Sequence, residues 1–368
     1  MTSFLKGEPN PQGRGLQPTL PTYALTSRLA VPSPYLAILV LNYNGWEDTI
    51  ACVETTLKDW RGEYELVVID NASADDSVAK LRRWAEDRCP PLELVFATGQ
   101  KTAVPPETGQ SNSPRLTLLQ TGSNLGFAGG NNVGIRYALA RGASWILLLN
   151  NDTVIEAGAL AKLIEGAERS GADLAGGSIY EYDRPSRPWY LGGTFNWWGD
   201  RTVRSLRLPS ATAIAVQTDW ITGCCLLVRG RVFEEIGLLD EGAFLYYEDS
   251  DFCRRAAKAG FKRFVVPDAR VYHKVSRSST PHSAFQRYHA TRSRVYFHSK
   301  NHTAGSHALF LIMFILSRMG RSLIWFFGGR WDLISASWRA LEDSFRQAIR
   351  PQPAPSSPGI EEGRQRCD

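Results

Sequence analysis

The sequence predicts an α/β fold, a mostly parallel central sheet flanked by helices, and three observations carry that prediction. Short apolar runs alternate with segments of helical spacing from Leu36 onward. Among these runs Trp145 to Leu149 is apolar throughout, as a strand covered on both faces is. Three of the runs end in polar residues, at Asn42, at Asp70 and at Asn150-Asn151-Asp152, the strand ends where open α/β sheets bind ligands.

Residues 1–34 carry many Pro, Gly, Ser and Thr without periodicity and read as a disordered leader. Leu36 to Leu41 is the first strand, and Asn42-Tyr43-Asn44-Gly45 turns the chain into a helix with Ile50, Val53, Leu57 and Trp60 on one face. Glu65 to Ile69 is the second strand; after Asp70, Asp75 and Asp76 suit the first turn of a helix with Val78, Leu81 and Ala85 inside. Residues 97–115 break the rhythm and read as a surface insertion, before Leu116 to Leu119 resumes as a strand. A helix is expected after the run Gly126 to Asn132, and a strand at Trp145 to Leu149. Strand and helix in repetition imply parallel pairing with right-handed crossovers. One main domain is expected over 35–275, followed by a basic, aromatic-rich helical appendage over 276–350 and a disordered tail over 351–368.

The formal net charge of +5 is uneven: residues 270–350 hold thirteen Arg or Lys and three acids, a surplus of ten, which leaves −5 for the rest. Such a segment fits an anionic surface, lipid headgroups before nucleic acid, and no nucleic-acid signature accompanies it. Cys52, Cys89, Cys224, Cys225, Cys253 and Cys367 form neither a CxxC pair nor a zinc spacing, so they read as small hydrophobes in a reducing compartment. The N-terminus lacks the charged, apolar and cleavage regions of a secretory signal, and a cytoplasmic location is expected.

The run Leu149-Asn150-Asn151-Asp152-Thr153 ends a buried strand in oxygen ligands suited to a hard cation bridging phosphates, although an ordinary capped turn has the same composition. Tyr246-Tyr247-Glu248-Asp249-Ser250-Asp251 sets three carboxylates at a helix start, with Phe252, Ala256 and Ala257 on its inner face. That is dipole chemistry, and it is also the crowding that raises a carboxyl pKa into the range of a general base. Phe264 to Pro267 reads as a strand leading to Val271-Tyr272-His273, which delivers one imidazole.

In this order, with Asn124-Leu125-Gly126-Phe127-Ala128-Gly129-Gly130-Asn131-Asn132 and Gly223 between them, these stretches resemble the family 2 glycosyltransferases of GT-A fold, in particular the rhamnosyltransferase-like branch. The resemblance covers about 36–300. It implies that Asp70 reads the nucleobase, that Asn42 and Asn44 line the same pocket, and that Asn124, Gly126, Gly129 and Gly130 let backbone approach the nucleotide-sugar donor. It places Asn150, Asn151 and Asp152 at the family's acid-x-acid position, with Asn150 replacing the first carboxylate. Asp152 and His273 are then the protein ligands of a divalent metal, Mn or Mg, and fewer acids imply a weaker site completed by the nucleotide diphosphate. Asp249 is the implied base, with Glu248 the alternative; Asp251, Trp189, Trp197 and Trp198, beside Tyr190, fall where the family binds its acceptor, although the aromatic residues fit a core equally well. The implied reaction is inverting transfer, with dTDP-rhamnose the favoured donor.

Leu309 to Leu316 and Leu323 to Phe327 are apolar, but Ser317, Arg318, Gly320 and Arg321 interrupt them, so a membrane span is not expected. An interfacial helix at the inner face of the cell membrane is, with Trp325 and Phe326 among headgroups and a polyprenyl-linked saccharide or other glycan as acceptor. The rival is a helix packed on the catalytic domain or on a second subunit, which would make a homodimer. The rival functions are a nucleotide-sugar or glycan binding module without catalysis and, more weakly, a dinucleotide-dependent oxidoreductase, against which the Gly126 to Gly130 segment lacks the GxGxxG spacing.

Overall fold

The computed structural model describes residues 35–59, 64–88, 93–98, 115–196, 202–207, 213–274 and 283–349. The expected leader and tail, most of the 97–115 insertion, and Trp60, Trp197 and Trp198 lie outside them.

The first half follows the predicted alternation. Strand β1 (Leu36–Asn42) leads to helix α1 (Trp46–Asp59), β2 (Tyr64–Asp70) to α2 (Ser77–Arg88), then come β3 (Glu93–Thr98), β4 (Arg115–Gln120), α3 (Gly126–Ala140) and β5 (Trp145–Asn150). These five strands are parallel, in the order β5-β1-β2-β4-β3. Every residue of β2 and the first five of β5 are buried, which explains the unbroken apolar run of β5; in β2 the buried Glu65 accepts from Tyr35, Thr117 and Tyr137. The register sets Asn42 opposite Asp70 and Leu41 opposite Asn150, so the polar strand ends align along one edge.

The second half adds antiparallel strands to a sheet that stays mostly parallel, as expected. β6 (Thr153–Ile155), α4 (Ala159–Ser170), β7 (Leu174–Glu181), β8 (Arg184–Tyr190), β9 (Gly193–Phe195), β10 (Thr202–Arg204), β11 (Val216–Gln217), β12 (Cys225–Arg229), α5 (Gly230–Ile236), α6 (Glu248–Lys258) and β13 (Arg263–His273) follow. β12 inserts antiparallel between β5 and β7, β13 runs parallel to β7, and β6 pairs antiparallel with the end of β13. Within β13 the register shifts between Val266 and Arg270, so the predicted strand and its His273 extension are one bulged strand. β9 and β10 form a separate ribbon.

Two corrections concern glycines and the insertion. The run Gly126 to Asn132 is the opening of α3, not a loop before it, and Gly129, Gly130 and Gly134 are interior residues of that helix. A Cβ on Gly130 would lie 2.6 Å from Leu41, and one on Gly134 2.4 Å from Ile69, so these positions let α3 press onto β1 and β2. Residues 97 and 98 belong to edge strand β3, so the insertion begins later than its composition suggested.

The C-terminal helices are α7 (Ala284–Asn301), α8 (Ala304–Phe327) and α9 (Trp331–Ile349). Ser283 and Thr303 cap α7 and α8 by accepting from the amides three residues on. α8 is one unbroken helix of 24 residues with a mean hydropathy of 1.6 in its most apolar window, long and apolar enough to cross a membrane. The interruption read at 317–321 does not break it.

Candidate active site

The end of β5, at Asn150 to Asp152, and the start of α6 open onto one cleft of about 1190 Å³. Leu41, Asn71, Asn124, Asn150 to Asp152, Gly223, Phe244 to Ser250 and His273 all line it.

At its base Asp152 meets His273. Asp152 follows β5, and His273 ends β13 opposite Thr153, so the β6–β13 pairing brings the two side by side. His273 Nε2 lies 3.1 Å from Asp152 Oδ1 without hydrogen-bond geometry, both residues are buried, and neither Asp152 Oδ1 nor His273 Nδ1 has another hydrogen-bond partner. Orphaned buried polar atoms are costly unless something satisfies them, and an oxygen beside an imidazole nitrogen suits a divalent cation. Among the described residues no third His, Cys, Asp or Glu joins them, so a cation there would need ligands from its substrate or water. Trp189 closes the side, edge-on to His273 at 4.8 Å, with the Arg204 guanidinium 4.6 Å from its ring centre.

The second wall is the turn before α6. Tyr246 and Tyr247 have φ of 68° and 70°, strained values for non-glycine residues, and they aim the helix start into the cleft. Asp249 Oδ2 accepts from the Gly223 amide at 3.0 Å and Oδ1 from the Ser250 hydroxyl at 3.1 Å. Burial pushes the Asp249 carboxyl above the usual range, opposed by the Gly223 amide and the Ser250 hydroxyl. Glu248 is raised well above its usual range by burial and then by Asp249, and its Oε2 has no partner. Asp249, holding the donors, is therefore the member of the pair that ionises first. The two walls are joined covalently and by hydrogen bonds: Asn150 donates its amide to the Cys224 carbonyl at 3.0 Å, and Gly223, the preceding residue, holds Asp249.

Several expected residues serve elsewhere. Asn42 is fully buried: it donates to Asp70 Oδ1 at 2.8 Å and accepts from Thr49 at 2.7 Å, while Asp70 also accepts from Ser73. Asn44, at φ 51°, accepts from the Ala74 amide. This network ties the loops after β1 and β2 together, and none of the three side chains lines the cleft; Tyr43 and Leu41 do. Gly126, at φ 72°, makes room for protein, not ligand, since its Cβ would lie 2.2 Å from the Phe244 carbonyl. Gly129 likewise accommodates Leu125. Asn151 donates to Thr49 at 3.0 Å and still lines the cleft. Asp251 is withdrawn into ion pairs with Arg255 at 2.7 Å and Lys300 at 2.9 Å, so it anchors α6 to α7 and does not face an acceptor. Tyr190 is core, donating to the Trp220 carbonyl.

Two contributors were not expected. Asn71 donates to Asn124 Oδ1 and the Gly126 carbonyl and accepts from the Leu125 amide, fixing the loop that carries Asn124; its place directly after Asp70 was the available signal. α7, assigned by sequence to an appendage, supplies Phe285, Gln286, Arg287 and Ala290 to the wall, and its Ser293 holds the Leu245 carbonyl at 2.8 Å.

The sequence model of glycosyl transferase family 2 matches residues 37–237, and that of glycosyl transferase family group 2 matches 145–341. The chain belongs to glycosyl transferase family 2. It is similar to the dTDP-rhamnosyl transferase RfbF of Shigella flexneri, 23% identical over 65% of this chain and 80% of that one. It is also similar to the N-acetylglucosaminyl-diphospho-decaprenol L-rhamnosyltransferase of Mycobacterium tuberculosis, 29% identical over 51% of this chain and 68% of that one. Among solved structures it resembles the mannosyltransferase of Pyrobaculum calidifontis in complex with GDP-Man and Mn2+, with 15% identity, a TM-score of 0.48, and coverage of 87% of this chain and 76% of that one. The transferase has the α/β sheet that its family resemblance implied, followed by the helical region expected after it. The same membership supersedes the oxidoreductase reading.

Proposed function

We propose that the transferase is an inverting rhamnosyltransferase that takes dTDP-rhamnose as donor and a glycan or lipid-linked saccharide as acceptor. The observation that carries this is the convergence of Asp152–His273 and Asp249 on one cleft, linked through Gly223 and Cys224. Rhamnose rests on the names of two relatives, one a dTDP-rhamnosyl transferase and one an L-rhamnosyltransferase with a diphospho-decaprenol acceptor.

Asp152 and His273 would hold a divalent metal, which would supply positive charge beside the departing nucleotide diphosphate. Asn124 and Asn151 offer amides to the donor, and Trp189 offers an aromatic face to a sugar. Asp249 takes the proton of the acceptor hydroxyl as that oxygen attacks the anomeric carbon from the side opposite the diphosphate; the C–O bond to the acceptor forms as the bond to the diphosphate breaks. Gly223 and Ser250 keep the Asp249 carboxylate aimed. Glu248, held protonated, leaves the charge on its neighbour.

The test is nucleotide diphosphate release from thymidine-, uridine- and guanosine-linked sugars, with and without Mn²⁺ or Mg²⁺, and the anomeric configuration of the product by NMR. Release confined to dTDP-rhamnose, abolished by chelation and giving an inverted product, supports the proposal. Release from a uridine or guanosine donor alone replaces the donor, and binding of every donor without release favours a binding module.

A further inference from the structure

α8 is inside out. Its packed stripe is Phe310, Phe314, Arg318 and the half-buried Trp325, while Ile312, Met313, Leu316, Leu323, Ile324 and Phe327 face outward, Phe327 at 85% exposure. A helix on a water-soluble surface puts arginine outside and leucine inside. Here Arg318, 5% exposed, occupies a core position four residues after Phe314, whose ring its guanidinium overlies at 4.7 Å.

Arg318 is not alone. Arg287 of α7 lines the cleft and reaches over Trp325 at 5.1 Å, and Arg294 lies over Phe310 and Phe314 at 5.5 and 5.0 Å. Arg321 is exposed one turn beyond Arg318. Among the described residues no ion pair reaches Arg287, Arg318 or Arg321, no carboxylate acts on Arg287 or Arg318, and the Nε atoms of both are buried without a hydrogen-bond partner. Burial first, and then Arg287, Arg321 and Arg294, lower the Arg318 pKa to about 10. Packed cations with unused donors are unfavourable unless an anion completes them, and planar guanidinium forks match phosphate oxygens. The cluster adjoins the acceptor side of the cleft: α7 carries Arg287 into the wall and packs Phe297 against Tyr247, just before Glu248 and Asp249, at 5.4 Å.

We propose that Arg287, Arg318 and Arg321 form a second diphosphate subsite, on elements other than those that carry Asp152 and His273, which holds the diphosphate of a lipid-linked acceptor while its hydrocarbon lies along the outer face of α8. The three cations match the two to three negative charges of a diphosphate ester, and the apolar face begins beside them. The proposal rests on the glycosyltransferase reading with a lipid-linked acceptor. It accounts for the inverted polarity of α8 and places the saccharide at Asp249.

The test is calorimetric binding of farnesyl diphosphate, farnesyl monophosphate and farnesol to the full chain, with Arg318→Met and, because Arg321 is exposed and its change spares the packing, Arg321→Gln. The diphosphate is expected to bind at least about tenfold tighter than the monophosphate, and Arg318→Met to weaken it at least about tenfold. Arg321→Gln weakens it several-fold, and nucleotide diphosphate with Mn²⁺ binds both variants as it binds wild type. Equal affinity for diphosphate and monophosphate, or undiminished diphosphate binding in both variants, overturns the proposal. So does a loss confined to phosphatidylglycerol vesicles, which would make the arginines a general membrane contact. Farnesyl diphosphate binding without any nucleotide binding would remove the glycosyltransferase reading and leave the subsite; the reverse would remove the subsite alone.

Discussion

At Glu248 and Asp249 two adjacent carboxyls share one helix start, and the hydrogen bonds decide which carries the charge. The helix N-terminus favours an anion, but burial and mutual repulsion allow one to form readily. Because burial raises Asp249, the acidic limb of the kcat/KM profile is expected above the ordinary aspartate value of about 4. The sign follows for stability too. A carboxyl with a raised folded pKa binds its proton more tightly when folded, so its contribution is complete below the unfolded pKa and is lost as pH rises through the folded one. Glu248→Gln, which imitates the protonated acid, should keep transfer within about tenfold of wild type and should not lower the melting temperature at pH 8. A loss of transfer as deep as that of Asp249→Asn would make Glu248 the base.

Among the elements, the parallel strands were legible because burial on both faces leaves an unbroken apolar run, as in Trp145 to Leu149. β8, with Arg184, Pro185 and Arg187 exposed at a sheet edge, carries no such run and went unread. The strand-end clusters at Asn42, Asp70 and Asn150 were readable as a site edge, yet not which of them face the cleft, since Asn42 and Asp70 satisfy each other across β1 and β2. Glycines announced close approach without saying to what: at Gly126 it is the Phe244 carbonyl of the catalytic turn. α7 looked like an appendage because its wall residues, Phe285 to Arg287, follow the main domain in sequence and return to it only in space. Gly126→Ala should destabilise the fold by about 2–4 kcal/mol, combining a left-handed backbone with a clash against Phe244. Denaturant titration measures it, and a change below about 0.5 kcal/mol would contradict the packing role.

For the whole molecule, catalytic sheet and C-terminal helices make one working surface, with the cleft, the arginines of α7 and α8, and the apolar outer face of α8 in sequence. We propose that the arginines of α7 and α8 would draw this surface toward anionic bilayers, with the outer face of α8 supplying the apolar contact. Co-sedimentation should show binding to phosphatidylglycerol vesicles that falls with salt, and Ile312→Glu with Leu316→Glu should reduce it at least about tenfold. Unchanged binding by that double variant would assign the face to a protein partner. Whether α8 crosses or lies along the bilayer is read from the protease sensitivity of α9 in sealed vesicles.

The central proposal is that Asp249 is the base beside a donor site built on Asp152 and His273. Single-turnover transfer by Asp249→Asn, alongside calorimetric affinity for nucleotide diphosphate with Mn²⁺, separates chemistry from binding. The predicted result is a fall in transfer rate of about 10²–10⁴ with donor affinity unchanged. Transfer at the wild-type rate would contradict it.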